Sequence, residues 1–156
     1  MSIELDATDL RIVAELQKNA RLSNKEIAHR VGVAPSTSLE RMRRLTASGV
    51  FQGFFADVRP DALGVGLQAM ISVRLSMHVR GQIERFRDHV LSLPEVSALY
   101  HVAGANDFMV HVAVTGTDHL RNLVMQSFTS LPEVAHIETA LIFEFTRKPV
   151  SPVVSE

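Results

Sequence analysis

The 156 residues of this chain predict an α+β protein, in which an N-terminal winged helix-turn-helix precedes a C-terminal ferredoxin-like βαββαβ module. One reason is that apolar residues recur at helical spacing in the first part of the chain. A second is that the pentapeptide SLPEV occurs twice, at residues 92–96 and 130–134, each time between a helical and an alternating pattern. A third is the formal charge, +2 before residue 61 and −3 after it, which indicates two modules.

The composition narrows the class of protein. Hydrophobic residues make up 46% and charged residues 21% of the chain, which suffices for a buried core without disulfides. The sequence contains no cysteine, which excludes disulfide frameworks, cysteine nucleophiles and thiolate metal sites. The first ten residues include no base and no apolar run, and no segment has the about 18 uncharged apolar residues of a membrane span. We therefore expect a soluble, cytoplasmic protein that does not bind membranes.

Two short helices are predicted near the N-terminus. The first covers residues 6–19, and either Asp6 or Thr8 can cap it. The second begins after Ser23, whose hydroxyl can form a capping box with Glu26 three residues later. A glycine follows the second helix, as is typical of a residue that ends a helix in the left-handed conformation. Both helices have an apolar stripe, so each is expected to bury one face.

A third helix is predicted to begin at Pro35, because proline suits the first turn of a helix. Two helices separated by a tight turn at Gly32 are typical of a helix-turn-helix. A helical wheel places Leu39, Met42 and Leu45 on the side that packs against the first two helices. The opposite arc contains Ser36, Thr37, Glu40, Arg41 and Arg44.

The outer arc of this third helix predicts binding to double-stranded DNA. Hydroxyls at a helix N-terminus allow the backbone to approach base edges in the major groove, and guanidiniums reach phosphates or guanine. The predicted DNA-binding residues are Ser36, Thr37, Arg41, Arg43, Arg44 and Ser23. Within this set, Ser36, Thr37 and Arg41 are expected to contact bases, and Arg44 the DNA backbone. The alternative is a solvated charged face on a helical bundle.

The chain is predicted to divide near residue 60. The apolar run at residues 50–56 predicts a short wing or a connector strand, and residues 57–66 contain one proline and two glycines without helical or strand periodicity. The predicted division is a helix-turn-helix domain at residues 1–53, a connector strand and linker at 54–66, a ferredoxin-like domain at 67–150 and a tail at 151–156.

The second module is predicted to be a duplicated supersecondary unit. Its elements are strands at residues 67–75, 96–102, 108–114 and 134–145 and helices at residues 82–91 and 118–130. This order is that of the split βαβ, ferredoxin-like fold. The sheet face without helices is expected to carry Met70, Ser72, Leu99, His101, Met109, His111 and Ala113. Because that face is too apolar to be left in water, we expect a second copy to cover it in a two-fold dimer.

The residues contain no pattern for catalysis or metal binding. Gly64, Gly66 and Ala69 match the spacing GxGxxA, but a dinucleotide fingerprint opens a helix, and this one opens a predicted strand. His101 and His111 share a predicted sheet face as a pH-sensitive or merely packed pair, and zinc needs a third ligand. The sequence lacks a nucleophile elbow, a phosphate loop and an HExxH motif. We therefore predict a protein that is not an enzyme and has no cofactor and no metal.

Several segments of the chain are similar to those of a known family. The segments are Leu5-Asp6 with Asp9, the block ELQKNARLSNKEIAHRVGVAPSTSLERMRRLTASGVFQGF, and later LPEV, HVAGANDF, HVAV and a second LPEV. On these residues nearly the whole chain resembles the Lrp/AsnC family of feast/famine transcriptional regulators. The resemblance implies a helix-turn-helix around residues 24–43, a connector strand, and a ferredoxin-like (RAM or ACT-like) module that binds an amino acid. It also implies dimers that assemble into tetramers, octamers or hexadecamers and bind the effector between dimers.

The effector loop of that family is a Gly-x-x-Asp turn between the second and third strands. The resemblance places it at Gly104, Ala105, Asn106 and Asp107. Free backbone N–H groups of such a turn can hold the carboxylate of an amino acid, with Asp107 holding its ammonium. The alternative is an ordinary hairpin turn. One departure from the family is Ala34, where many members have a serine that caps the recognition helix, and a missing cap costs about 1 kcal/mol of helix stability.

These observations predict a sequence-specific DNA-binding transcriptional regulator that responds to an amino acid through its oligomerisation domain. One alternative is a nucleoid-architectural protein that needs no effector, for which DNA affinity and assembly would be indifferent to amino acids. The other is a small ferredoxin-like enzyme, which the lack of an acid–base or nucleophile constellation disfavours. The sequence leaves open which amino acid is bound, which promoters are regulated and how large the assembly is.

Overall fold

The computed structural model describes residues 4–76, 80–148 and 150–151. The chain forms two compact units. One contains Met1–Asp57 together with Thr146–Glu156, and the other contains Val58–Phe145. We call the first the N-terminal unit and the second the sheet unit.

Helices make up the N-terminal unit, and they are α1, Ala7–Lys18; α2, Asn24–Val31; and α3, Pro35–Ala47. Capping boxes open the first two helices. Asp6 accepts from the backbone N–H of Asp9, whose side chain accepts from the N–H of Asp6, and Ser23 and Glu26 make the same exchange at α2. Because four short polar side chains fix these two helix starts, the sequence predicts them correctly.

The turn between α2 and α3 has the predicted glycine geometry. Gly32 lies in the left-handed region with φ 73°, and α3 begins two residues after Val33 with Pro35 in its first turn. Ala34, at the N-cap position, offers no side-chain cap. The start of α3 is tied to α2 instead, since Asn24 Nδ2 donates to the carbonyl of Pro35 at 2.8 Å.

The core of the N-terminal unit joins all three helices through Ile12, Leu16, Ile27, Val31 and Leu45. On α3, Ser38 and Leu45 are buried, and Met42 packs against the core. Leu39 is 41% exposed, so its predicted place on the packed side is wrong. The helix turns the row of Ser38, Met42 and Leu45 inward, and Leu39 lies about 100° around the axis from Ser38.

After α3 the chain passes through residues 51–59, which form neither a helix nor a strand. Phe51 packs against the core of the N-terminal unit, and its ring centroid lies 5.4 Å from that of Phe54. The wing or connector strand predicted for this region is therefore not formed within the single chain.

The sheet unit has the ferredoxin-like architecture predicted from the repeat. After a short 3-10 turn at Pro60–Leu63, its elements are β1, Leu67–Leu75; α4, Arg80–Leu91; β2, Val96–His101; β3, Phe108–Val114; α5, Thr117–Val124, continued by a π turn at Met125–Thr129; and β4, Val134–Ile142. All strand pairs are antiparallel, and the order is β2-β3-β1-β4. The last strand ends three residues earlier than the predicted Phe145.

The repeated SLPEV segments make the same turn. Val96 N–H donates to the carbonyl of Leu93 at 3.2 Å, and Val134 N–H donates to that of Leu131 at 3.1 Å. Each turn carries the chain from a helix into a strand, so the duplication visible in the sequence is a duplication of structure. The helices cover one sheet face, and the core between them contains Ala69, Ile71, Val73, Leu75, Phe86, Val90, Phe108, Val110, Val112, Val114, Leu120, Leu123 and Phe128.

The strand register corrects the predicted open face. His101 pairs with Phe108, and Tyr100 with Met109. Paired residues point to the same side of a sheet, so Leu99 and His101 lie on the helix-covered side, where the His101 ring stacks on Phe108 at 4.7 Å. The open face carries Ala98 and Tyr100 beside Met70, Ser72, Met109, His111 and Ala113. The prediction that His101 and His111 share a face is therefore wrong. The pairing of β2 with β3 differs by one residue from the predicted pairing, which reverses the face of each β2 side chain.

The GxGxxA pattern has a structural explanation. Gly64 ends the 3-10 turn with φ 81°, and Gly66 N–H donates to the carbonyl of Val114 at 3.0 Å. A Cβ atom on Gly66 would lie 2.4 Å from the carbonyl oxygen of Thr115. These glycines therefore bring the chain against the end of β3 and into β1 at Leu67, rather than into a helix that could bind a dinucleotide.

Candidate functional site

The hydroxyl residues of the predicted DNA-binding set lie at the N-terminal ends of α2 and α3. Ser36 is exposed and Thr37 is half-buried in the first turn of α3. Ser23 is exposed, but its hydroxyl donates to Glu26 Oε2 at 2.6 Å within the capping box of α2. Ser36 is therefore the hydroxyl best placed to meet a ligand in front of α3.

Two of the predicted DNA-binding arginines are paired with carboxylates of the N-terminal helix. Arg41 Nη1 lies 2.6 Å from Asp6 Oδ2 and 2.9 Å from Asp9 Oδ1, and Arg44 Nη2 bonds Asp9 Oδ2. The Asp9 side chain is 1% exposed, that of Arg41 25% and that of Arg44 58%. We call Asp6, Asp9, Arg41 and Arg44 the ion cluster.

Two members of the ion cluster, Asp6 and Arg41, are held in their charged forms. Hydrogen bonding to Arg41, followed by the backbone N–H of Asp9, lowers the pKa of Asp6 from 3.8 to about 2. Hydrogen bonds to Asp6 and then to Asp9 raise the pKa of Arg41 above its ordinary value. The positive charge of Arg41 is therefore offset locally by the negative charge of Asp6.

Arg43 has a different environment on the same helix. It is exposed, and it has no ion pair among the residues that the structure describes. Ser36 and Glu40 are exposed on the same side, since positions 36, 40 and 43 follow one another at helical spacing. We call Ser36, Glu40 and Arg43 the outer face of α3. The predicted outer arc lies nearer to Arg41, because the prediction counted the exposed Leu39 with the packed side.

The Gly-x-x-Asp segment forms the loop between β2 and β3. Gly104 has φ 138°, and Gly104 and Ala105 are exposed while Asn106 is half-buried. Asp107 is buried, and its Oδ2 accepts from the backbone N–H of Leu75 at 2.7 Å. The Asp107 N–H donates to the carbonyl of Val73 at 2.9 Å, so this residue attaches the loop to the end of β1.

A cavity of about 590 Å³ opens at the other end of β1 and β3. Its wall includes a hydrogen-bonded pair that the sequence did not predict, in which His119 Nε2 lies 3.0 Å from Glu95 Oε1. His119 Nδ1 also lies 3.2 Å from Thr115 Oγ1. The position of Glu95 in the SLPEV repeat was visible in the sequence, but its pairing with a residue 24 positions away was not.

The described ranges contain neither a metal-binding group nor a membrane-spanning helix. No group of three or more His, Cys, Asp or Glu side chains there is arranged to hold a metal ion. Within the same ranges, none of the helices has the length and apolar composition needed to cross a bilayer.

Two family models match the chain. The model described as "Lrp/AsnC ligand binding domain" matches residues 68–149, and the model described as "Winged helix-turn-helix DNA-binding" matches residues 5–52. The first covers the sheet and its helices, and the second covers α1, α2 and α3. Together they assign a ligand-binding and a DNA-binding description to the two halves of the sequence.

Curated relatives align over most of the chain. The HTH-type transcriptional regulator AldR of Mycolicibacterium smegmatis is 44% identical over 144 residues, which are 92% of this chain and 84% of that protein. The leucine-responsive regulatory protein of Escherichia coli K12 is 33% identical over 141 residues, 90% of this chain and 86% of that protein.

Solved structures share the fold. The NMB0573/L-Met complex from Neisseria meningitidis superposes with a TM-score of 0.85 at 28% identity and covers 93% of this chain and 94% of that one. MtbAldR superposes with a TM-score of 0.75 at 37% identity, and the superposition covers 95% of this chain and 100% of the MtbAldR chain. In one of these two structures, an amino acid is bound to a chain of this fold.

Proposed function

Because the chain belongs to the Lrp/AsnC family of DNA-binding transcriptional regulators, we propose that α3 reads DNA and that an amino acid bound to the sheet unit controls this activity. The observation that supports this proposal most strongly is that a helix-turn-helix and a domain whose family model is described as ligand binding occur in one chain. Its relatives are regulators rather than enzymes. Effector binding can change DNA binding only if the amino acid has unequal affinity for two states of the protein.

We propose that α3 enters the major groove with its outer face toward the bases. Ser36 at the start of the helix allows close approach, Arg43 offers bidentate donors to guanine, and Glu40 can accept from cytosine. Thr37 and Ser23 remain proposed contacts near the same helix ends. In a dimer, two such helices would meet successive major grooves of double-stranded DNA.

Replacing Arg43 by Ala should weaken DNA binding, because an exposed guanidinium on the outer face is lost. Sites are first selected from random double-stranded oligonucleotides, and affinity is then measured by fluorescence anisotropy between 50 and 200 mM salt, a range over which phosphate contacts are resolved. If Arg43 contacts a phosphate, the slope of log K against log salt should fall by about 0.9. If it contacts guanine, discrimination at one base pair should fall by about 1–3 kcal/mol.

Arg121→Ala is the matched control, since Arg121 is an exposed arginine of α5 in the sheet unit. It should change neither affinity nor slope. Equal DNA binding by Arg43→Ala and Arg121→Ala would contradict the proposed contact of Arg43 with DNA.

We propose that the effector contacts the β2–β3 loop through the backbone of Gly104, Ala105 and Asn106. The exposure of Gly104 and Ala105 supports this proposal, as does the attachment of Asp107 to β1, which fixes the loop. Preorganised backbone N–H groups bind a carboxylate without first having to be ordered. A role of the Asp107 carboxylate in holding the ammonium remains part of the proposal.

Ala105→Arg should abolish the stabilisation produced by an effector. The wild-type protein is screened by thermal shift against the twenty amino acids, with oligomer size read in parallel. The large side chain on an exposed loop residue should leave the melting temperature without ligand unchanged, because it displaces no buried group. Ala135→Arg, at an exposed position of β4, is the control and should keep the full response.

Survival of the shift in Ala105→Arg would show that the effector binds elsewhere, for which the cavity beside Glu95 and His119 offers a site. DNA binding and assembly that ignore all twenty amino acids would instead favour a nucleoid-architectural protein without an effector.

We propose a homodimer formed through the open sheet face, from which tetramers or octamers assemble. On this face Met109 pairs with Ser72 and with Tyr100, which is exposed, and Met70 pairs with His111, so the two methionines are diagonal neighbours on adjacent strands. Phe145 adds its ring to the same surface at 5.4 Å from His111. Burial lowers the pKa of His111 and so favours its neutral form, which adds no charge to this face.

A further inference from the structure

The ion cluster does more than neutralise charge beside α3. The two arginines differ in how their donors are used. Arg41 places one nitrogen, Nη1, against both Asp6 and Asp9, and its side chain is mostly covered. Arg44 gives Nη2 to Asp9 and exposes more than half of its side chain.

A guanidinium has five N–H donors in a rigid plane. Arg44 can therefore keep its bond to Asp9 and still present other donors to a phosphate. Arg41 lies between two carboxylates, whose negative charges oppose the approach of a third anion. The same helix thus holds one arginine that is more than half exposed and one that is mostly covered between two carboxylates.

We propose that Asp9 is a positioning residue of the DNA interface, whose buried carboxylate orients Arg44 toward the DNA backbone and, with Asp6, withholds Arg41 from it. This inference rests on the proposed recognition by α3, and it revises the sequence prediction that Arg41 contacts bases. Asp9 comes from α1 and lies 35 residues before Arg44, so it acts across the core rather than along one helix.

Asp9→Asn tests the proposal because a positioning role and a purely electrostatic role of Asp9 predict opposite changes in DNA affinity. If Asp9 only contributes a negative charge near DNA, removing that charge should tighten binding. If Asp9 orients Arg44, the variant should bind more weakly, by about threefold to tenfold, with a salt slope lower by up to about 0.9. Anisotropy titrations against the selected DNA site measure both quantities, and circular dichroism determines the folded fraction at each salt concentration.

Asp6→Asn is the matched control, since it removes the same charge three residues earlier. Asp6 bonds Arg41 and leaves the Asp9–Arg44 pair intact, and asparagine also caps a helix well. This variant should bind DNA as tightly as wild type or more tightly. Tighter binding by Asp9→Asn as well would overturn the positioning role.

Two further variants keep the test decisive if Asp9→Asn folds poorly. Arg44→Lys retains the charge but lacks the planar fork, so its affinity should fall toward that of Arg44→Ala. Arg41→Ala should keep the wild-type salt slope, and a fall of about 0.9 would show that Arg41 contacts phosphate after all.

The failure of this inference can be told from the failure of the proposed function. Loss of affinity in Arg43→Ala with unchanged affinity in Arg44→Lys would retain α3 as the recognition helix and reject the role of Asp9. Wild-type affinity in Arg43→Ala, Arg44→Lys and Arg44→Ala would reject recognition by α3 itself.

Discussion

Phe86→Ala is expected to destabilise the sheet unit by about 3–5 kcal/mol, the usual cost of removing a buried phenyl ring. Phe86 is fully buried on α4, and its ring centroid lies 4.8 Å from that of Phe108 and 6.4 Å from that of Phe128. It therefore joins α4 to β3 and to the turn after α5, and its loss leaves a cavity in the middle of that core. Denaturant unfolding, followed by circular dichroism, measures the change in the free energy of unfolding.

Leu91→Ala gives a control on the same helix. Leu91 is 57% exposed, so its truncation should change the unfolding free energy by less than about 0.5 kcal/mol. Proteolysis separates the two units, because Phe86→Ala should increase cleavage within Val58–Phe145 and leave α1, α2 and α3 protected. Comparable destabilisation by both variants would contradict the position of Phe86 at the centre of the core.

The positions of the elements follow from local sequence signals. Capping boxes at Asp6 and Ser23 fix the starts of α1 and α2, and the left-handed Gly32 ends α2. Each of these signals involves residues only a few positions apart in the chain. The SLPEV repeat marks the two turns from helix to strand, and the alternation in residues 67–75 predicts β1 with its observed bounds. Signals of this kind require only neighbouring residues, and they were sufficient to predict the fold.

The faces and pairings depended on information that local patterns do not contain. Whether Leu99 or Tyr100 faces the helices is decided by pairing across the β2–β3 loop, where one residue of register reverses every side chain. The inward side of α3 includes Ser38, a polar residue that a wheel of apolar positions ignores. The bond between Asp9 and Arg44 spans 35 residues, so no helical or strand period reports it.

The predicted effector loop shows how a functional motif can also be structural. The family resemblance predicts that Asp107 is an effector ligand, and the structure buries its carboxylate against the N–H of Leu75. Asp107 Oδ2 accepts this hydrogen bond in the chain without an effector, so the anchoring role does not depend on a bound amino acid. A loss of effector response after mutation of Asp107 would therefore have two possible causes.

Asp107→Ala is expected to destabilise the sheet unit by about 1–3 kcal/mol even without an effector. The Leu75 N–H would be left unsatisfied in a position where Leu75 is 2% exposed, and an unpaired buried donor costs its full desolvation energy. Denaturant unfolding without amino acids measures the change. Asp118→Ala is the control, because it removes an exposed carboxylate of α5 whose ion pair with Arg121 lies at the surface.

Comparison with Ala105→Arg then separates the two roles of the loop. If Asp107 only anchors the loop, an effector at saturating concentration should still raise the melting temperature of Asp107→Ala from its lowered starting value, whereas Ala105→Arg should not respond at any concentration. If Asp107 also binds the ammonium, both variants should lose the response, and only Asp107→Ala should start from a lower melting temperature. An unchanged unfolding free energy in Asp107→Ala would contradict the anchoring bond itself, because the Leu75 N–H would lose its acceptor while remaining buried.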